Sequence, residues 1–434
     1  MTHELDDWLG HPDPEHFPYD PVIDAFHRVG KHFVDKDLLA DLARARSRLP
    51  AGGAEEGAGH VLAAFLDTAL DKWDGCYDYS TYLSLGVLPL PGSTPGVPAA
   101  PGGETGAPAA VRDAEYRRDR LVVQLIGDAI RQELAAADGA TELWPEMRPP
   151  AATTAKRLRL GVRAVTPAIR RLGLPVADPA DGAEPAARPM WQAVAADARP
   201  EELRTLRLSI LPVYVSHDEY MFLRILQSLE TYFAALAVTL RTAVAELGQG
   251  DAAGCAQLVR RAAEDLREAA AVFPLLATTQ VDSFRTFRMY TEGASAIQSR
   301  NYKMVESLCR TPDDPRLDSA AYLAVPDVRE KVLAGQTTLA GTLREVQAAG
   351  LISAPDQALL GEALEAFSGT LLHWRQTHYR MAVRMLGEGS PGTGYTEGTP
   401  YLRAVRDIPV FHSAADGAPL VSPARPAGDG EGAS

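Results

Sequence analysis

From Ser216 to Leu247 the chain has neither glycine nor proline, and apolar side chains return every three or four residues: Phe222, Ile225, Leu226, Leu229, Phe233 and Leu236. That is the 3.6-residue period of a helix with a buried face, and Gly248 supplies its stop. Ser216 and Glu219 have the Ser-x-x-Glu spacing of a capping box at its start. A second long helix is expected from Ser353-Ala354-Pro355-Asp356, where an N-cap, an early proline and an acidic side chain coincide, through Leu360, Leu364, Phe367, Leu371 and Met381 to Gly387. Shorter helices are expected over Asp251–Phe273, Val281–Tyr290, Ala296–Cys309, Asp327–Ala349, Ala63–Trp73 and Arg117–Ala137. No run of alternating β-branched residues reads as a strand, and no fixed-period repeat occurs. The fold class is all-α.

Glycine (36) and proline (32) mark the joints. They concentrate in Leu88–Ala110, Pro175–Pro189 and the tail Ala414–Ser434, stretches with too few large apolar residues to offset the entropy of ordering, so these read as linkers or disordered segments. With 43 Lys and Arg against 57 Asp and Glu the net charge is −14, which argues against a nucleic-acid binder, because such proteins need clustered, uncompensated cations. Residues Lys156-Arg157-Leu158-Arg159-Leu160, with Arg163, Arg170 and Arg171, make a basic helix: a solvated face offsetting the acidic remainder, or a docking surface for an acidic partner. The apolar run Ala234–Val238 is broken by Thr239 and Arg241, so no segment is expected to span a bilayer. The acidic start Met1-Thr2-His3-Glu4-Leu5-Asp6-Asp7 shows no secretory signal. Cys76, Cys255 and Cys309 are far apart and odd in number, which makes a reducing cytoplasm the expected compartment.

There is no GxxxxGK[ST] phosphate loop, no HExxH, no GxSxG elbow and no GxGxxG after a strand. Gly392-Thr393-Gly394 follows a helix, which makes it a weak nucleotide signal. His217, at a helix start, reads as exposed or capping. His378 is different. Positions 371, 374, 378, 381 and 385 share one helical face and carry Leu, Trp, His, Met and Met. An imidazole in such a stripe either hydrogen-bonds internally or binds something. Axial ligation of haem suits it, since that needs one neutral imidazole on a rigid helix facing a large apolar slot.

Four strips acquire meaning in combination. They are Tyr79-Ser80-Thr81-Tyr82-Leu83-Ser84-Leu85; His217-Asp218-Glu219 with Phe222 three residues on; Phe284-Arg285-Thr286-Phe287-Arg288 followed by Ala294-Ser295-Ala296-Ile297-Gln298-Ser299; and Trp374-Arg375-Gln376-Thr377-His378 leading to Arg384, Gly387, Gly392-Thr393-Gly394 and Tyr401-Leu402-Arg403. In this order and spacing they resemble the tryptophan 2,3-dioxygenase family of haem enzymes, covering most of Tyr79–Leu85 and His217–Arg403. The resemblance implies an all-α haem domain of the tryptophan/indoleamine dioxygenase type, haem b as cofactor, and L-tryptophan or a related aromatic amino acid and O2 as partners. It implies that His378 is the axial ligand of the haem iron, with Trp374 packed beside it. It implies that Arg288 holds the substrate carboxylate, that Thr393 meets the ammonium group, and that Phe222 and Phe284 sandwich the ring. Tyr79, Tyr82 and Leu83 match a helix that, in the family, reaches into a neighbouring subunit's pocket, so a homo-oligomer (dimer or tetramer) is implied.

Two departures stand out. Where dioxygenases of this type place a distal histidine, this chain has Leu226, which can neither accept the indole N–H nor shuttle a proton. Thr291 replaces a larger apolar residue. The chain also carries well over a hundred residues between Leu85 and His217 where the family has a short connection. The expected organisation is an N-terminal extension (1–60), the N-terminal family element (61–85), an insertion (86–215), the haem- and substrate-binding domain (216–412) and a tail (413–434). The expected function is a haem-dependent oxygenase of the tryptophan indole ring. The alternatives are a haem hydroxylase of an aromatic amino acid and a non-catalytic haem or aromatic-ligand binding protein.

Overall fold

A computed structural model of the chain describes residues 2–49, 57–75, 78–92, 107–175, 182–393 and 397–411. Its α-helices follow in chain order: α1 (Thr2–Gly10), α2 (Tyr19–Val29), α3 (Lys36–Ser47), α4 (Ala58–Leu70), α5 (Tyr79–Tyr82), α6 (Ala107–Ala137), α7 (Ala151–Arg171), α8 (Ala183–Asp197), α9 (Pro200–Leu208), α10 (His217–Gly248) and α11 (Ala252–Ala270). They continue as α12 (Phe273–Leu276), α13 (Val281–Arg288), α14 (Arg300–Cys309), α15 (Asp314–Leu317), α16 (Ala320–Leu323), α17 (Pro326–Leu333), α18 (Leu339–Ala348), α19 (Ala354–Leu386) and α20 (Thr399–Arg406). Among the described residues there is no strand, and the sole extended pairing is an isolated bridge between Glu146 and Ser216. The fold is all-α.

The 32-residue α10 is the axis. It is buried on nearly every side: α6, α11, α14 and α18 surround it, α7 and α8 pack on α6, and α19 packs on α11. This qualifies the membrane expectation, because α10 is long and apolar enough, by length and composition alone, to cross a bilayer. Its most apolar window is 89% buried within the protein. A second core joins α1–α4 to Leu208 and Leu211, with Trp8, Phe17, Tyr19 and Phe65 in edge contact.

Both long helices begin and end where the sequence places them, and Ser353 caps α19 by accepting from the Asp356 N–H. Elsewhere turn chemistry breaks the expected helices. Residues 327–349 divide into α17 and α18 at Gly335 (φ 83°), with Thr338 capping α18. Residues 296–298 form a 3-10 turn before Ser299 caps α14. The expected linkers are shorter than their composition indicates: Leu88 and Leu90 are buried, α6 begins at Ala107, and α8 begins at Ala183. Alanine-rich segments form helix once an apolar face has a partner. Residues 93–106, 176–181 and 412–434 of these segments, and Cys76, lie outside the described residues; Cys255 and Cys309 are buried free thiols.

The start of α10 departs from expectation in a way that matters for function. No capping box forms. The Ser216 hydroxyl pairs with that of Ser283 on α13, and Glu219 accepts from the Val213 and Tyr214 N–H groups at 2.8 and 3.0 Å. His217 is buried rather than exposed, with Nε2 3.2 Å from Glu133 on α6. Asp218 accepts from Arg157 at 2.7 Å and from the backbone N–H of Gln280, the N-cap of α13, at 2.6 Å. Arg157 also donates to Glu133 (2.8 Å) and to Thr278. Arg157 is therefore not part of a solvated face: it is 1% exposed, whereas Lys156, Arg159, Arg163 and Arg170 do face solvent. Residues 86–215, expected as an insertion, share the main core with α10 and help fix the helix that carries Phe284 and Arg288.

Candidate ligand-binding site

Where α10, α13, α19, α5 and the segment after α19 converge, two adjoining hollows share a wall. Tyr79, Leu226, Leu276, Ile297, His378 and Leu402 face both. Their mainly apolar lining with a few convergent polar groups is that of a ligand or cofactor site.

His378 stands between the hollows on α19. Its apolar stripe is realised: Trp374, Met381 and Met385 join it on the cavity walls, while Leu371 is buried beneath them. The Trp374 ring lies 5.3 Å from the imidazole and is held by Phe233, Phe273 and the stacked Tyr302. Burial lowers the His378 pKa to about 4, so the ring is neutral at pH 7. Among the described residues no group hydrogen-bonds it, and burial is the sole cause of its shift. A neutral, unpartnered imidazole facing an apolar hollow fits a haem held by a single axial ligand. Among the described residues no cluster of three or more His, Cys, Asp or Glu could hold a bare metal ion.

The first hollow carries one guanidinium, that of Arg288. Arg288, at the end of α13, is half-buried, and burial lowers its pKa from the usual value. Its Nη2 donates to the Pro391 carbonyl at 2.8 Å, and no carboxylate among the described residues pairs with it. Thr393 lines the same hollow, and its hydroxyl donates to the Ala294 carbonyl. Gly394 lies outside the described residues. Phe222, Phe284 and Phe287 form one wall. The Phe222 and Phe284 centroids are 5.5 Å apart, and a ring between them would need about 7 Å. They can wall a ligand on one side but, as placed, not sandwich it.

Leu226, 7% exposed, occupies the wall where a distal group would stand. Tyr79 and Tyr82 line the hollow from the chain's own α5. Leu83 does not reach the cavity; it is fully buried, and its carbonyl accepts from Gln227 Nε2 at 2.9 Å, which pins α5 to α10 beside Leu226.

Part of the chain is similar to proteins named for a single activity. The chain is 25% identical over 225 residues to the tryptophan 2,3-dioxygenase of Anaeromyxobacter dehalogenans, a match covering 45% of this chain and 84% of that one. The tryptophan 2,3-dioxygenases of a Polaromonas species and of Pseudomonas aeruginosa are each 25% identical, over 234 and 233 residues, covering 46% of this chain and 79% and 81% of theirs. No protein-family model matches. The chain is a distant relative of tryptophan 2,3-dioxygenases.

The second hollow holds polar groups that sequence reasoning did not single out. Glu230, on α10, lines it; burial raises its pKa to about 7 against hydrogen bonds from Ser299 and Asn301. Lys303 donates to the Tyr401 hydroxyl at 2.7 Å and lies 3.7 Å from Glu306. Burial opposes ionisation of Glu306, but Arg316, Lys303 and Arg375 overcome it and hold the carboxyl below the usual range. The one signal was local, Lys303 and Glu306 at i, i+3 on one helix; Arg375 and Tyr401 are distant in sequence.

Proposed function

We propose that this chain is a haem-dependent oxygenase that inserts O2-derived oxygen into the indole ring of L-tryptophan or a tryptophan derivative. The observation that carries the reading is the pairing, across one apolar cavity, of an unpartnered neutral imidazole, His378, with an unopposed guanidinium, Arg288. Haem b held by His378 would supply the iron at which O2 is activated. Arg288 offers a planar fork for both oxygens of an amino-acid carboxylate, and Thr393 stands on the same wall, where the ammonium end would lie. The Phe222, Phe284 and Phe287 wall takes the flat face of the ring. Holding both charged groups fixes the ring in the pocket, so positioning supplies much of the rate. The relatives' activity supports the reaction class. The same reading takes the chain as a cytoplasmic homo-oligomer.

Leu226 favours a second outcome within this class. It excludes water from the pocket wall and offers no proton acceptor, so the number of oxygen atoms retained is the open variable. Purified protein loaded with haem, reduced and mixed with tryptophan and its ring-substituted analogues under labelled O2, tests the proposal. A product about 36 mass units heavier, with both labelled atoms kept, indicates N-formylkynurenine chemistry, and one about 18 heavier an oxindole or hydroxylated product. Haem binding with no turnover of any analogue would leave a binding protein and overturn the enzymatic reading.

A further inference from the structure

Arg288, Thr291 and Ala294 line the first hollow from the turn that follows α13. That turn is strained. Glu292 has φ 49°, in the left-handed region that residues with a side chain rarely adopt. Such a conformation persists only where the surroundings over-determine it. Here much of the surroundings comes from the N-terminal unit, α1–α4 and the residues that join them. Lys72 follows Asp71, the C-cap of α4; its side chain is 7% exposed, and Nζ donates to the Thr291 carbonyl at 3.1 Å. The same ammonium stands 4.0 Å from Glu292 Oε2, and His32 Nδ1 stands 3.6 Å from Glu292 Oε1. The Tyr290 ring lies 5.2 and 5.3 Å from those of His32 and Phe33 and stacks on Tyr214 at 5.0 Å.

Lys72 acts from a fixed base. Asp71, beside it, is buried and pairs with buried Lys31 at 2.9 Å, and the Lys31 backbone N–H donates to the Pro212 carbonyl at 2.8 Å. The N-terminal core also takes in Leu208 and Leu211, so the unit is joined to the segment that leads into α10. From Lys72 the constraint reaches Arg288 through one residue. Thr291 donates twice to the Arg288 carbonyl, from its N–H at 3.2 Å and from its hydroxyl at 2.9 Å. The Thr291 carbonyl also accepts from the Ala294 N–H at 3.1 Å, and the Ala294 carbonyl accepts from the Thr393 hydroxyl. An ammonium on the Thr291 carbonyl therefore fixes the backbone of the residue that supplies the hollow's guanidinium. A group held in place before a ligand arrives costs little ordering when it binds.

We propose that Lys72 is a positioning residue for Arg288, by which the N-terminal unit holds the guanidinium ready for the carboxylate of an amino-acid ligand. This rests on the reading of the cavity as an indole amino-acid site, and the probes are chosen so that the two fail differently. Calorimetric titration compares L-tryptophan with tryptamine, which lacks the carboxylate, on the haem-loaded wild type, Lys72→Met and Lys72→Arg. The wild type is expected to bind tryptophan at least about tenfold more tightly than tryptamine. Lys72→Met should bind tryptamine as the wild type does but prefer tryptophan by no more than about threefold, and Lys72→Arg, which keeps a donor, should restore most of the preference. In an Arg288→Ala background Lys72→Met should cost tryptophan binding little more, because the two act as one unit. The Thr291 carbonyl keeps its bond from Ala294 in Lys72→Met, so helicity and the Soret band should stay as in the wild type. Loss of either, or equal weakening of both ligands, would show a general structural role and overturn the assignment, as would an undiminished preference for tryptophan. A wild type that binds both ligands equally overturns the carboxylate clamp and the role of Lys72 with it. A wild type that binds neither overturns the indole reading of the cavity itself.

Discussion

Arg288 and His378 are the two side chains on which the site depends, and they are recognisable for opposite reasons. His378 could be singled out in the sequence because an imidazole is anomalous in a Trp-Met-Met stripe on a single helix. Arg288 is indicated in the sequence only by the resemblance of its strip, and three dimensions add its setting: one tie to the Pro391 carbonyl, no carboxylate among the described residues paired with it, and an apolar cavity in front. Arg288→Ala should weaken L-tryptophan binding about 10- to 100-fold, the range for a lost charge-assisted contact, while leaving haem absorbance unchanged. Arg288→Lys should recover part of that loss at most, since a point charge does not reproduce the planar fork. Titration of the two variants checks both; wild-type affinity in Arg288→Ala would remove the carboxylate clamp from the account. Phe222 and Phe284 show the limit of residue-level inference. Their presence at the pocket could be read from their strips, but not that their rings touch each other.

Among the elements, α13 is the one whose position is built rather than inherited from its own sequence. Its N-cap backbone is held by Asp218, Asp218 is held by Arg157 from α7, and Ser216 meets Ser283 on its first turn. Breaking a buried pair from one side leaves an uncompensated charge, so Asp218→Ala should destabilise the fold by about 3–5 kcal/mol in urea unfolding. It should also weaken tryptophan binding, because α13 carries Phe284 and Arg288; a variant with wild-type stability and affinity would show that this network does not position the helix. The long helices could be read because their apolar period runs unbroken for eight or nine turns. The network was hidden because its members lie on four separate segments and each looks, alone, like a solvated charge or a cap. Arg157 read as part of a basic surface, and Ser216 and Glu219 as a capping box, for the same reason: burial reassigns polar side chains to partners far away in the chain.

For the molecule as a whole, enclosure of ionisable groups around the second hollow ties stability to pH. Glu230 titrates near 4.5 when unfolded and about 7 when folded, so the folded state keeps this proton through a window in which the unfolded chain has released it. The stability it contributes is full below the unfolded value and is lost as pH rises through 7. Glu230→Gln cannot ionise, so its stability relative to the wild type should increase from pH 5 to pH 8. A pH-independent difference in melting temperature would show that Glu230 is not held protonated. None of this enclosure could be read from composition, which described an ordinary acidic globular chain. It arises because α10, α13, α14 and α19 leave a gap that apolar packing does not fill. The most direct test of what fills it is spectroscopic titration of the purified protein with haem, alongside His378→Ala, with helical circular dichroism recorded for both. The wild type should take up one equivalent and develop a Soret band that the variant, equally helical, does not develop. An unchanged Soret band and affinity in His378→Ala would contradict the assignment of His378 as the ligand around which the site is organised.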